Sequence, residues 1–181
     1  MPITIRHWNQ EDNVSVITSL LHRAYGELAD LGFRYHATWQ SEEVTFDRLS
    51  RGIAFIAEDQ GEIVGTATLY LPPSKTGCAW YDQEDVARFG QFGVEPTLQR
   101  KGIGSLLLDA IETTSISRGV FNLALDTAEE ATHLIELYSR RGYKYVCDAD
   151  WEITNYRSVI MNKRLARGSQ DSAMKDQATG E

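Results

Sequence analysis

The run Gln99-Arg100-Lys101-Gly102-Ile103-Gly104-Ser105 constrains this chain more than any other segment. It follows an apolar stretch over residues 86–94 and opens a segment with helical spacing: Ile103, Leu106, Leu107, Ala110 and Ile111, ending near Gly119. Gly102 and Gly104 have no Cβ, so a ligand can approach the backbone closely. The first amides of a helix have no internal partner and carry the positive end of its dipole. Such a helix start is a phosphate site, and Arg100 and Lys101 add cations beside it. The run lacks the spacing of a P-loop. A dinucleotide fingerprint needs a third glycine where Leu107 stands. A tight strand-to-helix turn without a ligand is the remaining alternative.

The flanking patterns set the architecture. Residues 3–8 alternate as a strand, and Ile17, Leu20, Leu21, Ala24, Leu28 and Leu31 predict one long helix stopped by Gly32. A second helix is expected between Ser41 and Gly52. Residues 53–57 and 63–71 read as strands around Asp59, Gln60 and Gly61, a hairpin signature. Residues 121–125 alternate as a strand; Ala131, Leu134, Ile135 and Tyr138 line a fourth helix; residues 143–147 and 156–161 close the chain as strands. This order predicts an α/β fold of the α+β type: a mixed, twisted sheet of about seven strands with four helices on its two faces. Residues 1–165 form one domain, and the polar stretch 166–181 is expected to be disordered.

Composition narrows the function. The 181 residues carry a net charge of -8, which argues against a nucleic-acid partner and favours a cationic acceptor over an anionic one. No stretch is apolar over the roughly 18 residues that a membrane span needs, and residues 1–8 lack the centre of a signal peptide. A cytoplasmic protein without a membrane partner is expected. Cys78 and Cys147 are in no metal or redox spacing and read as reduced thiols. The four histidines form no zinc spacing, so no metal is expected.

The residues 99–104 match the Q/R-x-x-G-x-G/A signature of the GNAT superfamily of acyl-CoA-dependent N-acyltransferases. Phe92-Gly93-Val94-Glu95-Pro96 resembles that family's strand end, and Leu137-Tyr138-Ser139-Arg140-Arg141-Gly142-Tyr143 resembles its second element. The likeness spans roughly residues 3 to 165. It implies a GNAT fold that takes acetyl-CoA as cosubstrate. Backbone groups of Phe92, Gly93 and Val94 would bond the pantetheine arm, the Val94 amide acting as an oxyanion donor. Gln99, Arg100, Lys101, Gly102, Ile103, Gly104 and Ser105 would hold the pyrophosphate. Tyr138 would protonate the departing thiolate, a phenol of pKa about 10 serving a thiol of about 8.5. No cysteine lies in either motif, so the amine acceptor attacks directly in a ternary complex.

The chain departs from the family at two places. The stretch Arg88-Phe89-Gly90-Gln91-Phe92 holds no glutamate, so the usual general base is missing, and Glu95 lies just past the strand. Ala131 stands where many relatives have an asparagine; Asp126 and Thr127 either replace that contact or cap the helix. The acceptor, a primary amine of a small molecule or peptide, is expected among Tyr35, His36, Trp39, Trp80, Tyr81 and Asp82. Trp151, Asn155 and Tyr156 would close the site or form the edge of a homodimer. A catalytically silent acyl-CoA-binding module and a protein-interaction domain are the alternative readings. Gly104→Val is expected to weaken acetyl-CoA binding strongly while the protein still folds; unchanged affinity in titration calorimetry would remove the glycine turn from the site.

Overall fold

The computed structural model describes residues 2–166. Its elements run β1 (Thr4–His7), α1 (Val14–Ala24), α2 (Gly26–Asp30), α3 (Glu42–Ser50), β2 (Ile53–Asp59), β3 (Glu62–Tyr70), β4 (Val86–Val94), α4 (Ile103–Ser117), β5 (Asn122–Ala128), α5 (Thr132–Arg140), β6 (Lys144–Asp150) and β7 (Arg157–Arg164). The strands form one seven-stranded sheet in the order β1-β2-β3-β4-β5-β7-β6. The β2–β3 hairpin turns at Gln60 and Gly61, both at positive φ (53° and 89°), the geometry that a two-residue hairpin loop demands. The pairing of β4 with β5 is parallel because α4 carries the chain back across the sheet; every other pair is antiparallel.

The period-2 strands separate two cores. Phe55, Ala57 and Ala67 face α4, whose Ile103, Leu107, Leu108 and Ile111 complete the larger cluster. Ala54 and Ile56 face the other way, against Ile17 and Leu21 of α1 and Leu49 of α3. Asn13 caps α1 by accepting from the Ser15 N–H at 3.0 Å, and Ser41 caps α3 through the Val44 N–H.

Three expectations are revised. The long first helix stops at Ala24, because Tyr25 leaves helical geometry (φ −98°, ψ 2°) and turns its ring onto Tyr35, with centroids 5.3 Å apart. The bend lets Leu28 on α2 pack with Tyr35, Ala128 and Ala131, so the described residues form five α-helices rather than four. Asp126 and Thr127 lie inside β5 and cap nothing. Of the expected tail, 166–181, all but Ala166 lies outside the described residues.

Two irregularities in β4 position everything that follows. First, β4 pairs with β5 only from Val86↔Asn122 to Arg88↔Ala124, and the two strands then part. Second, β4 is bulged against β3: Thr66 opposes Gly93 and Thr68 opposes Gly90, so two residues of β4 face Ala67. Gln91 occupies the bulge at φ 48° with its side chain buried. Its Oε1 accepts from Gln40 Nε2 at 2.6 Å, and Gln40 Nε2 also donates to Thr45 Oγ1 at 2.7 Å. A buried donor left without an acceptor costs about 1–3 kcal/mol. Gln91→Ala is therefore expected to lower the melting temperature by several degrees, measured by calorimetry, without loss of secondary structure.

Candidate active site

The N-terminus of α4 is left open by its sequence. Arg100 (φ 62°) and Gly102 (φ 88°) both take left-handed backbone, a concave arrangement of successive N–H groups that suits an anion. Gly102 is the N-cap and has no side chain to offer. The amides of Ile103, Gly104 and Ser105 find no acceptor among the described residues, whereas α1 and α3 have side-chain caps. Gly104 and Ser105 line a cleft of about 640 Å³. Of the residues expected to hold the cofactor, Phe92, Gly93, Val94, Gln99, Arg100, Gly102, Gly104 and Ser105 line it. Ile103 buries its side chain in the core at 2% exposure and does not line the cleft. Lys101 is exposed and does not line the cleft.

The opposite wall is the free edge of β4. The Glu95 N–H donates to Val64 O, so the alternation along the strand turns the peptide groups of Val94 and Phe92 away from β3, into the gap. Gln99 Nε2 donates to Val94 O at 3.3 Å, so this side chain braces the strand end. The two glycines of this wall have different reasons. A Cβ at Gly93 would meet Ala24 and Leu21 at 3.2 Å, so this glycine lets β4 pack close against α1. A Cβ at Gly104 would meet the Phe92 ring at 3.2 Å, so this glycine lets the helix start close against the strand.

Tyr138 lines the same cleft from α5. Its ring is held edge-on by Phe89 (6.1 Å) and Tyr143 (6.0 Å). Burial, reinforced by the neighbouring Tyr25, Tyr35 and Asp126, pushes its phenol well above the ordinary range, so it stays protonated. Its hydroxyl makes no hydrogen bond among the described residues, so its proton is uncommitted.

A second cleft of about 240 Å³ lies where β4 and β5 part, and Tyr25 lines both. Tyr35, His36, Tyr81, Trp151 and Tyr156, expected around the acceptor, line it. Trp39, Trp80, Asp82 and Asn155 do not. The Asp82 carboxylate accepts from the Thr76 and Gly77 amides (2.7 and 2.9 Å) and staples its own loop. Asn155 bridges the Arg34 amide and Gly32 O. Among the described residues Asp126 is the one carboxylate lining this cleft, and it accepts from Tyr81 Oη at 2.9 Å and Trp151 Nε1 at 3.2 Å. Glu95 is turned away, paired with Arg23 at 2.7 Å. Burial and the charge of Arg48 hold the His36 imidazole below its usual range. Sequence reasoning missed Tyr25, Arg48 and Arg88; the only trace was a pair of arginines on elements otherwise patterned for the core.

Comparison with known proteins agrees with this geometry. The family model for the acetyltransferase (GNAT) family matches residues 14–143. The S-(2-succino)cysteine N-acetyltransferase of Bacillus subtilis (strain 168) is 30% identical over 157 residues, which is 86% of this chain and 92% of that protein. The ribosomal-protein-S18-alanine N-acetyltransferase from Escherichia coli superposes with a TM-score of 0.69 at 19% identity, covering 94% of this chain and 98% of the other. A GNAT family acetyltransferase from Elizabethkingia anophelis with acetyl-CoA bound gives 0.66 at 20% identity, covering 90% and 98%. At such identities the structural likeness establishes the shared fold.

Arg100 lines the cleft and forms no ion pair among the described residues, while Lys101 stands outside. Acetyl-CoA affinity is expected to fall as salt rises, since exposed charges are screened beyond about 10 Å at 0.1 M. Arg100→Ala should weaken binding and flatten that salt response; Lys101→Ala should change neither. Calorimetric titrations at two ionic strengths check both.

Proposed function

Since the chain belongs to the GNAT acetyltransferase family and is an N-acetyltransferase that uses acetyl-CoA, we propose that it moves the acetyl group to a primary amine of a small molecule by direct attack in a ternary complex. The observation that carries this reading is the meeting of the two clefts at Tyr25, in the gap between β4 and β5. Acetyl-CoA supplies an activated acyl carbon that an amine can attack. The uncapped amides of α4, with Arg100, hold its pyrophosphate, and the β4 edge aligns its pantetheine arm. The Val94 amide, facing the gap, polarises the carbonyl. Tyr138 gives its proton to the departing sulfur and recovers one from solvent.

A cysteine derivative is the acceptor named for the Bacillus subtilis relative, which supports a small molecule over a peptide. The small size of the acceptor cleft, about 240 Å³, supports the same choice. The family match and the named activity of that relative displace the silent-module and interaction-domain alternatives. No helix among the described residues is long and apolar enough to cross a membrane. The reading places the enzyme in the cytoplasm, whose reducing poise suits two free thiols. A homodimer would pair through the sheet edge at β6, where Tyr145 is exposed. One chain lines both clefts, so the chemistry does not depend on it.

Tyr138→Phe keeps the ring and its aromatic contacts and removes only the acid. The turnover number is expected to fall about a hundredfold to ten-thousandfold. The Michaelis constant for acetyl-CoA and the melting temperature should move little. Tyr25→Phe, measured alongside, should lose far less. Turnover unchanged in Tyr138→Phe, with chemistry shown to be rate-limiting, would take this phenol out of the mechanism.

A further inference from the structure

The acceptor cleft is more cationic than an amine site requires. Arg48 of α3 and Arg88 of β4 both line it. Neither forms an ion pair with a carboxylate among the described residues. Arg48 Nη1 donates to Gln40 Oε1 at 2.7 Å, a neutral partner already tied to the Gln91 bulge. Arg88 lies over the Tyr70 ring at 4.3 Å, and its Nε is buried without a hydrogen-bond acceptor. The two guanidinium groups border one patch: a Cβ at Gly90 would sit 3.5 Å from Arg48 Nη2 and 3.6 Å from the Tyr70 ring. Gly90 thus leaves a gap in the floor of β4 between two cations in a protein of net charge -8. His36 adds no charge here, being held toward its neutral form. The only carboxylate in the lining, Asp126, is borne by β5 and faces the cleft through its bonds to Tyr81 and Trp151.

Like charges brought together in a partly desolvated cleft repel each other, and burying an unpaired charge is costly. Such an arrangement persists where an anion completes it. Guanidinium groups present fork-like donors matched to carboxylates. We propose that the acceptor is an amino acid carrying a second carboxylate, with Arg48 and Arg88 binding its acid groups and Asp126 seating its ammonium. This rests on the acetyl-transfer reading and names the acceptor class for that site. Asp126 receives a proton from the ammonium, directly or through one water, which frees the nitrogen lone pair. The C–N bond forms as the C–S bond breaks, Tyr138 protonates the sulfur, and the second nitrogen proton leaves to solvent. The products are the N-acetylated acid and free CoA. Asp126 thereby fills the place of the missing strand glutamate from the neighbouring strand.

The test uses the whole chain and acceptors of matched shape and different charge: glutamate with glutamine, and S-carboxymethylcysteine with S-carbamoylmethylcysteine, plus butylamine. CoA release is followed by thiol detection, and acetyl-CoA binding is measured separately by calorimetry. Each acid is expected to exceed its amide partner at least tenfold in kcat/KM, and butylamine to be poorest. Of Arg48→Gln and Arg88→Gln, the variant of the arginine that holds the second carboxylate should raise KM for the acid at least tenfold while leaving KM for the amide within about twofold, so that the acid's advantage shrinks; the variant of the one that holds the α-carboxylate, which acid and amide share, should raise KM for both. A merely structural role would move both acceptors together in both variants. Equal use of acid and amide, or two variants that each lose both acceptors equally while still folded and binding acetyl-CoA, overturns the proposal. So does a protein that binds acetyl-CoA yet acetylates none of the acids. A protein that fails to bind acetyl-CoA overturns the cofactor reading instead. Arg48→Lys and Arg88→Lys, which keep the charge, should retain part of the preference; if they fold and show none beyond the Gln variants, the charge assignment fails.

Discussion

Peptide groups on a strand edge inside a protein need partners, and β4 and β5 supply them to each other over only three residue pairs. Beyond Arg88 and Ala124 the two edges face a gap. The protein fills part of it with side chains. Gln99 donates to Val94 O on one edge, and the Tyr35 hydroxyl accepts from the Ala128 N–H on the other at 2.9 Å. What is left unpaired on β4 is an edge on which an extended chain with its own amides can lie. The bulge at Gln91 serves the same end. By twisting β4 away from its neighbour it opens the gap, and the buried amide network of Gln40, Gln91 and Thr45 keeps it in one geometry.

The helix that follows completes the cleft by omission. A serine or asparagine at position 102 would satisfy one of the amides of α4, as Asn13 does for α1. Gly102 cannot, and its φ of 88° is the conformation that the turn requires. Unpaired helix amides, a dipole end and the guanidinium of Arg100 therefore lie together at the start of α4, although the chain as a whole is acidic. Net charge describes the long-range field; the two clefts are governed by charges within a few ångströms. The expectation of a cationic acceptor, drawn from the net charge of -8, is at odds with Arg48 and Arg88 for this reason.

The parts of the molecule legible in the sequence are those governed by local pattern. The seven strands, the parallel pair around α4 and the hairpin at Gln60-Gly61 follow from periodicity and turn chemistry, and most of the cofactor cleft follows from one contiguous motif. The break at Tyr25 was hidden because its cause is tertiary: the ring leaves the helical spacing to pack on Tyr35, ten residues on. The acceptor cleft was half legible. Aromatic clusters mark Tyr35, Tyr81, Trp151 and Tyr156, but Arg48 and Arg88 come from elements whose pattern speaks only of core. Asp126 was legible as a polar residue near the site and misplaced by a few positions, which hid that β5 aims it at the gap.

The phenols around the gap share a raised range and differ in their partners. Tyr25, Tyr35, Tyr81, Tyr138, Tyr143 and Tyr156 are all pushed up, each chiefly by burial, so every one of them holds its proton at neutral pH. A raised value alone therefore identifies none of them. Hydrogen bonding does the sorting. Tyr35 is committed to Thr127 and Ala128, Tyr81 to Asp126 and Tyr143 to Glu112. Of the phenols left, Tyr156 lines only the acceptor cleft, while Tyr25 and Tyr138 line the one closed by α4. Tyr138 comes from α5, and its ring is fixed on two sides by Phe89 and Tyr143. Tyr25 sits on the bend between two helices and borders both clefts. The proposed mechanism asks of a donor to the departing sulfur that it be held in place and have no competing acceptor, and the packing of Tyr138 meets both conditions.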